Sequence, residues 1–290
     1  MSDFKYKNKT KVGPDTTVYE YSDGQVQHRH REKAKRIEEL SASMDKLRAQ
    51  IKKDLGSKDM GTRLKALATA IIDETYSRVG NDTSASERGH YGVTTWQKKH
   101  VTFGSGKATF KYVGKSGVTQ EKVVRDPDVI RILKEHLKDK KKDDNIFDCE
   151  AGSSSTCIRG QDVNDYLKPY DVTAKDLRGY HANRLMQETL KAARKGGGAL
   201  PKDTKGRVAL LKKEFKKALE TVSSMVGHEA ATLQKNYLVP AMEDAYMKDG
   251  TVIEKLDQTK TASASTSPTS QIRLAIRVAS IWSKRQKSVR

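Results

Sequence analysis

The chain has 290 residues, of which 35% are hydrophobic, and it carries a formal net charge of +19 from 56 basic and 37 acidic residues. This length and apolar content can bury one substantial core and at most a small second one. The basic excess favours a polyanionic partner, nucleic acid above all, because cations that bind phosphates release counterions. A solvated basic surface without a specific partner is the alternative that charge alone leaves open.

Composition also disfavours several other classes of protein. The two cysteines, Cys149 and Cys157, make neither a disulfide framework nor a four-ligand zinc site, so a reducing compartment is expected. No apolar run reaches the roughly 18 residues of a membrane span, and the N-terminal MSDFKYKNK does not resemble a signal peptide. We therefore expect a soluble intracellular protein, cytoplasmic or nucleoid-associated, with the nucleus and the virion left open.

The N-terminal third of the chain predicts a hairpin followed by two helices. Residues 1–15 are expected to be loosely ordered, and VYEYSDGQVQH predicts a hairpin that turns at Asp23 and Gly24. From Arg31 the apolar residues recur at helical spacing, which predicts a helix that ends near Gly56. Its apolar face comprises Ile37, Leu40, Met44, Leu47 and Ile51. The next predicted helix has Met60, Leu64, Leu67 and Ile71 on its face.

The remainder predicts a small sheet and then further helices. Short alternating runs between Gly92 and Val124 are typical of an antiparallel sheet. Helical patterns then cover residues 128–137, 160–167, 174–194 and 206–225, with a flexible loop at 196–206. The predicted fold class is α+β: a mainly helical catalytic domain with a small antiparallel sheet, after a hairpin-and-helix N-terminal part.

The last residues differ in composition from the rest. Residues 258–270 are a low-complexity linker, and residues 271–290 form a tail with six basic residues and no acidic one. That tail could lie on DNA or on an acidic surface as an amphipathic helix. A docking helix and a disordered end remain equally open.

Two glycine-rich segments resemble phosphate-binding loops but do not match the pattern. GSGKAT has Val101, and VGKSG has Thr109, where the Walker motif requires its first glycine. The sequence therefore predicts no nucleotide cofactor. No group of His, Cys, Asp and Glu has the spacing of a metal site either, so no metal is expected.

A set of basic residues and one tyrosine remains as the candidate site. Fixed guanidinium groups suit the charge on the non-bridging oxygens of a phosphodiester under attack, and a tyrosine hydroxyl can act as the nucleophile. A lysine at a hairpin turn can act as general acid toward the departing oxygen. Taken singly, each is more often an ordinary surface or core-edge residue. The set is Arg78, Lys115, Arg178, His228 and Tyr237.

The spacing of His228 and Tyr237 constrains the backbone between them. Nine residues in one helix would turn through roughly 900° and leave the two side chains on opposite faces. If they share a site, the chain must bend between them, most plausibly at the end of a helix that starts near Glu229.

Five local motifs in order give the chain a close resemblance to a known family. They are SRVGN, YGVTTWQKKHV, FKYVGKSG, DVNDYLKPYDVTAKDLRGYHAN and VGHEAATLQKNYLVP. Over roughly Val18 to Leu256 the chain resembles a type IB DNA topoisomerase of the small poxviral and bacterial kind. The resemblance implies relaxation of supercoiled double-stranded DNA by a monomer, without ATP or metal, through a 3′-phosphotyrosyl intermediate.

The resemblance also implies a role for each site residue. Tyr237 matches the nucleophile and Lys115 the general acid, while Arg78, Arg178 and His228 match the remainder of the catalytic pentad. Lys175, in the KDLR motif, matches a lysine at the DNA and leaving-group side, and Lys99 is also expected to bind DNA.

Two parts of the chain depart from the family pattern. Family members usually carry a larger N-terminal β-rich domain, of which only the last hairpin and its following helix match here. We therefore predict a shortened clamp in residues 1–56, a catalytic domain in 57–257, and a linker and basic tail in 258–290. The shortened clamp puts the grip on the duplex in doubt, and the tail has no counterpart in the pattern.

Two other functions remain alternatives. A tyrosine recombinase or integrase shares the fold and the chemistry, but it usually has a histidine where this chain has Lys175. A non-catalytic DNA-binding protein would fit the charge equally well. Retention of all five site residues argues against pure binding.

Overall fold

The computed structural model describes residues 8–13, 16–20, 23–147 and 157–253. The predictions for the linker and the basic tail lie outside the described residues.

A hairpin and a long helix form the N-terminal part, as predicted in kind but not in position. Strand β1 (Asn8–Gly13) pairs antiparallel with β2 (Thr16–Glu20), and helix α1 runs over Asp23–Leu55. The predicted turn at Asp23 and Gly24 is wrong, because these residues open α1, and so is the loose order expected at residues 8–13. Aspartate and glycine are favoured at helix N-termini as well as in turns, and the charged residues that follow are good helix formers.

The other helices follow the predicted pattern closely. Those predicted at residues 128–137, 160–167, 174–194 and 206–225 are confirmed with shifts of at most two residues, whereas α3 and α9 were not predicted. The helices are α2 (Met60–Thr75), α3 (Asp82–Arg88), α4 (Pro127–His136), α5 (Gly160–Leu167), α6 (Ala174–Gly196), α7 (Thr204–Val226), α8 (Ala230–Asn236) and α9 (Pro240–Asp249).

Helix α1 packs into the same hydrophobic core as the helices after it. It lies against α2 and α6, and α6 lies against α7. All five residues of its predicted apolar face are buried, and so are Leu64, Leu67 and Ile71 of α2. Met60 is 37% exposed, because it is the first residue of its helix and lies beyond the packed part.

The predicted sheet is confirmed as three antiparallel strands in the order β3–β4–β5. They span Val101–Gly104, Lys107–Val113 and Thr119–Val124. The run VTTWQKKH, predicted to open the sheet, instead forms two 3-10 turns, and Trp96 between them stacks on Phe110 at 4.3 Å. The sheet and helices together confirm the α+β, mainly helical fold class.

The sequence led us to expect two free thiols, but Cys157 is disulfide-bonded. Among the described residues, no helix is long and apolar enough to cross a membrane.

Truncation of a core side chain should destabilise the fold strongly. Leu67 is fully buried on α2, so Leu67→Ala removes apolar contacts and leaves a cavity. We expect the free energy of unfolding, measured by urea denaturation, to fall by about 2–5 kcal/mol. Met60→Ala on the same helix is the control and should change it far less. Equal losses in the two variants would contradict the placement of α2.

Candidate active site

Helix α8 supplies the bend that the spacing of His228 and Tyr237 requires. Helix α7 ends at Gly227, whose φ of 74° lies in the left-handed region that glycine tolerates best. His228 follows at once, α8 occupies residues 230–236, and Tyr237 comes immediately after it. The two rings lie 4.4 Å apart between centroids. The helix predicted to start near Glu229 is confirmed, Tyr237 lies at its end as expected, and the two side chains lie at one site.

Arg178 connects the tyrosine to the histidine. Its Nη1 donates to the Tyr237 hydroxyl at 3.0 Å, and its Nη2 lies 2.9 Å from Nε2 of His228. The guanidinium also donates to the carbonyl oxygens of Tyr76 at 2.7 Å and Val226 at 3.2 Å. Arg178 is 4% exposed, so these contacts fix it in one position. Burial lowers its pKa to about 10, which leaves it charged at neutral pH.

Arg78 reaches the opposite side of the histidine ring. Its Nη2 lies 3.0 Å from Nδ1 of His228. The backbone of the Arg78 segment is held by the first 3-10 turn: Val93 N–H donates to the Arg78 carbonyl at 2.9 Å, and Thr94 N–H to the Val79 carbonyl at 2.7 Å. A Cβ on Gly92 would lie 2.5 Å from the Gly80 backbone, so this close approach requires glycine. The SRVGN and YGVTT motifs therefore act as one unit that presents Arg78.

The charge around His228 keeps its imidazole neutral. Burial, Arg178 and Arg78 lower its pKa to about 3, and Lys115 contributes to the same shift. A neutral imidazole has one N–H and one acceptor nitrogen, and guanidinium groups only donate. At most one of its two arginine contacts can therefore be a hydrogen bond. The cluster holds more donors than acceptors, as a site for an anion does.

The three remaining predicted residues are lysines whose side chains are exposed or paired elsewhere. Lys115 is exposed in a short turn between β4 and β5, and Lys175 is exposed in the first turn of α6. Lys99 forms an ion pair with Asp143 at 2.8 Å. Within the described ranges, no hydrogen bond or ion pair joins these three lysines to Arg78, Arg178, His228 or Tyr237. No group of three or more potential metal ligands occurs in that part of the chain.

Asn183 is a site residue that the sequence reasoning missed. It is fully buried on α6, and its Nδ2 donates to the carbonyl of Tyr237 at 2.8 Å while its Oδ1 accepts from Val239 N–H at 2.8 Å. These two bonds fix the backbone of the tyrosine. The available signal was an amide five residues after Arg178, at the end of the motif DVNDYLKPYDVTAKDLRGYHAN.

A second buried cluster, formed by Asp73, His181 and Arg48, packs against Tyr76, the residue whose carbonyl binds Arg178. His181 Nε2 lies 2.6 Å from Asp73, which also accepts from Arg48 at 2.9 Å. Burial opposes ionisation of Asp73, but Arg48 and His181 hold its pKa below the usual range. The His181 ring packs on Tyr76, whose left-handed φ of 59° ends α2 and whose carbonyl binds Arg178.

A family comparison agrees with this geometry. The model for the catalytic core of eukaryotic DNA topoisomerase I matches residues 22–288. The chain belongs to the DNA topoisomerase I family. It is thus a type IB topoisomerase by family, an enzyme class whose substrate is DNA, and the predicted family and enzyme class are confirmed.

The similar proteins are named DNA topoisomerase 1B or DNA topoisomerase 1, and their sequence identity to this chain is low. DNA topoisomerase 1B of Acanthamoeba polyphaga mimivirus is 25% identical over 241 residues, which cover 80% of this chain and 69% of the relative. DNA topoisomerase 1 of Drosophila melanogaster is 27% identical over 58% of this chain, and that of Homo sapiens 28% identical over 52%. The chain spans only 17% and 20% of the lengths of these two.

Among solved structures, the XerH site-specific recombinase bound to its difH substrate is similar to this topoisomerase-family chain. The match has 16% sequence identity and a TM-score of 0.39, and it covers 73% of this chain and 52% of the recombinase. A likeness at this level has no bearing on the site.

The depressed pKa of His228 predicts a pH-dependent stability. The unfolded chain takes up a proton at a pKa of about 6.5, whereas the folded chain does so only at about 3. Between these values the unfolded state binds more protons, so this contribution to stability is present above pH about 6.5 and is lost as the pH falls toward 3. The free energy of unfolding of wild type should therefore decline more steeply over this window than that of His228→Gln. If the free energy of unfolding changed with pH in parallel for the two proteins, the lowered pKa of His228 would be contradicted.

Proposed function

We propose that this chain relaxes supercoiled double-stranded DNA by cutting one strand with Tyr237 and resealing it, without ATP or metal. The observation that carries the proposal is the position of Arg178, which contacts both the Tyr237 hydroxyl at 3.0 Å and His228 at 2.9 Å. A phosphate beside the tyrosine would thus meet Arg178, Arg78 and His228 at once. Such convergence of donors on a nucleophile is what phosphoryl transfer requires.

Cleavage exchanges one phosphodiester for another. The Tyr237 oxygen bonds to phosphorus and its phenolic proton passes to solvent or a nearby base, while the bond from phosphorus to the 5′ oxygen of the next nucleotide breaks. Lys115 donates a proton to that leaving oxygen. The 3′-phosphotyrosyl bond keeps the energy of the broken ester, so the 5′ hydroxyl can attack it and reseal the strand without fuel.

The neighbouring cations stabilise the charge that develops during this exchange. Arg78 and Arg178 donate to the non-bridging oxygens of the phosphate, and His228 donates through its single N–H. Because Arg178 is already fixed by two backbone carbonyls, little reorganisation is needed when the phosphate arrives. The phosphate charge would also raise the pKa of His228 from its low value.

The exposed lysines and the net charge support DNA as the partner. Lys175 and Lys99 would bind backbone phosphates near the cleavage site. Residues 1–56 would close over the duplex as a shortened clamp, residues 57–257 would carry the chemistry, and residues 258–290 would form the linker and basic tail. The protein would act as an intracellular monomer with no nucleotide cofactor.

A plasmid assay tests the nucleophile. Purified wild type incubated with negatively supercoiled plasmid in EDTA without ATP should relax it. Tyr237→Phe lacks the attacking oxygen and should still bind the plasmid but leave it supercoiled. Relaxation that strictly requires Mg²⁺ or ATP would contradict the mechanism. Binding without relaxation by wild type would instead favour a recombinase that needs its own site.

The general-acid role of Lys115 has a separate test. Lys115→Ala should slow single-turnover cleavage by about 10²–10⁴-fold, because the 5′ oxygen must leave unprotonated. A substrate with sulfur in place of that oxygen should restore most of the rate, since a thiolate needs no proton to leave. Lys107→Ala, at an exposed lysine that follows the turn between β3 and β4, is the control. Failure of the sulfur substrate to restore the rate would assign Lys115 to binding.

A further inference from the structure

Lys122 is a buried basic residue beside the candidate site that the mechanism does not use. It lies on β5, is 7% exposed, and its Nζ donates to the carbonyl oxygen of Met225 at 2.5 Å. Among the described residues it forms no ion pair with a carboxylate. A lysine this deeply buried without an acidic partner is uncommon, because desolvation of an ammonium is costly.

The carbonyl that Lys122 binds lies at the end of α7, three residues before His228. Met225 and Val226 are the last residues of that helix, whose final carbonyls have no partner within the helix. Lys122 binds the first of these two carbonyls and Arg178 the second. Two basic side chains from separate elements, β5 and α6, thereby fix adjacent peptide groups at the point where the chain turns toward the histidine.

A second contact from the same strand reinforces this connection. A Cβ on Gly227 would lie 2.2 Å from Oε1 of Gln120, so the Gln120 side chain packs directly against the turn before His228. Gln120 and Lys122 are two positions apart and share one face of β5. The strand begins just after the turn that carries Lys115, so β5 joins the position of one candidate catalytic residue to that of another.

We propose that Lys122 is a positioning residue that holds the end of α7 and so sets the His228 ring between Arg78 and Arg178. This inference rests on the proposed function, because the ring position matters there for strand cleavage. The turn at Gly227 is closed by the backbone N–H groups of Gly227 and His228, which both donate to the Ser223 carbonyl at 2.9 Å. Without the bond from Lys122 to Met225, Arg178 would make the one remaining side-chain hydrogen bond to the end of α7 among the described residues. A ring displaced by a fraction of an ångström would then no longer present its N–H to the phosphate.

The electrostatics of the cluster are consistent with this role. Burial, followed by the charge of Arg178, lowers the pKa of Lys122 to about 7. The charge of Lys122 in turn contributes to the lowered pKa of His228. Lys122 therefore lies close enough to Arg178 and to His228 for the charges of these groups to interact.

The test compares Lys122→Met with Lys111→Met in the full chain. Methionine fills most of the space of the lysine side chain but cannot donate a hydrogen bond, whereas Lys111 is an exposed lysine of the same sheet that pairs with Glu121. At saturating DNA we expect Lys122→Met to slow single-turnover strand cleavage by about 10- to 100-fold. DNA affinity, measured in a Tyr237→Phe background, should stay within about twofold. Lys111→Met should cleave at close to the wild-type rate.

A spectroscopic measurement separates this inference from the proposed function. The nitrogen-correlated NMR signals of the His228 ring, assigned with His228→Gln, should shift in Lys122→Met, while those of His136 and His90 should not. If wild type fails to cleave DNA but the His228 signals shift, the proposed function is overturned and the positioning role stands. Unchanged His228 signals and an unchanged cleavage rate would overturn the inference.

If Lys122→Met does not fold, a second variant, Lys122→Gln, tests the same inference. Lys122→Gln retains a polar head in the buried space, but its side chain is one atom shorter than that of lysine, so its amide would fall short of hydrogen-bond distance from the Met225 carbonyl. The same shift of the His228 signals and the same selective loss of cleavage rate are expected from it. Wild-type behaviour of folded Lys122→Gln would overturn the inference.

Discussion

The buried guanidinium of Arg178 is the interaction on which the site depends. It joins the end of α2, the end of α7, the histidine before α8 and the tyrosine after it. These segments are far apart in the sequence, and their relative positions are set largely by the donor geometry of one planar group. A lysine at this position could not make four such contacts in fixed directions.

The buried side chains of Arg178 and Lys122 donate to carbonyl oxygens at helix ends, and these bonds offset the cost of their burial. Arg178 binds the Tyr76 and Val226 carbonyls, and Lys122 binds that of Met225. The C-terminal end of a helix carries partial negative charge, so it stabilises a cation without neutralising it. A carboxylate in the same place would bind the arginine more strongly but would also cancel the charge that a phosphate needs. The buried carboxylate of Asp73 binds His181 and Arg48 instead of Arg178.

Much of this arrangement could be predicted from the sequence, but not all of it. Regular apolar spacing predicted α1 and α2, because long amphipathic helices follow one period. The nine-residue interval predicted the bend at α8, and the order of five motifs predicted the family. The hairpin was misplaced because Asp23–Gly24 suits both a turn and a helix start. Asn183 was missed because its role depends on contacts between α6 and the segment after α8, which no local pattern records.

The hydrogen-bond donors around His228 outnumber the acceptors, which favours the binding of an anion such as a phosphate. A neutral imidazole flanked by two guanidinium groups cannot satisfy both contacts, whereas a phosphate offers several acceptor oxygens at once. The site is thus better satisfied electrostatically with a phosphodiester in place than without one. The same logic explains why the low pKa of His228 does not conflict with a donor role. In the proposed function its single N–H remains available, and the negative charge of the phosphate would strengthen the hydrogen bond that this N–H donates.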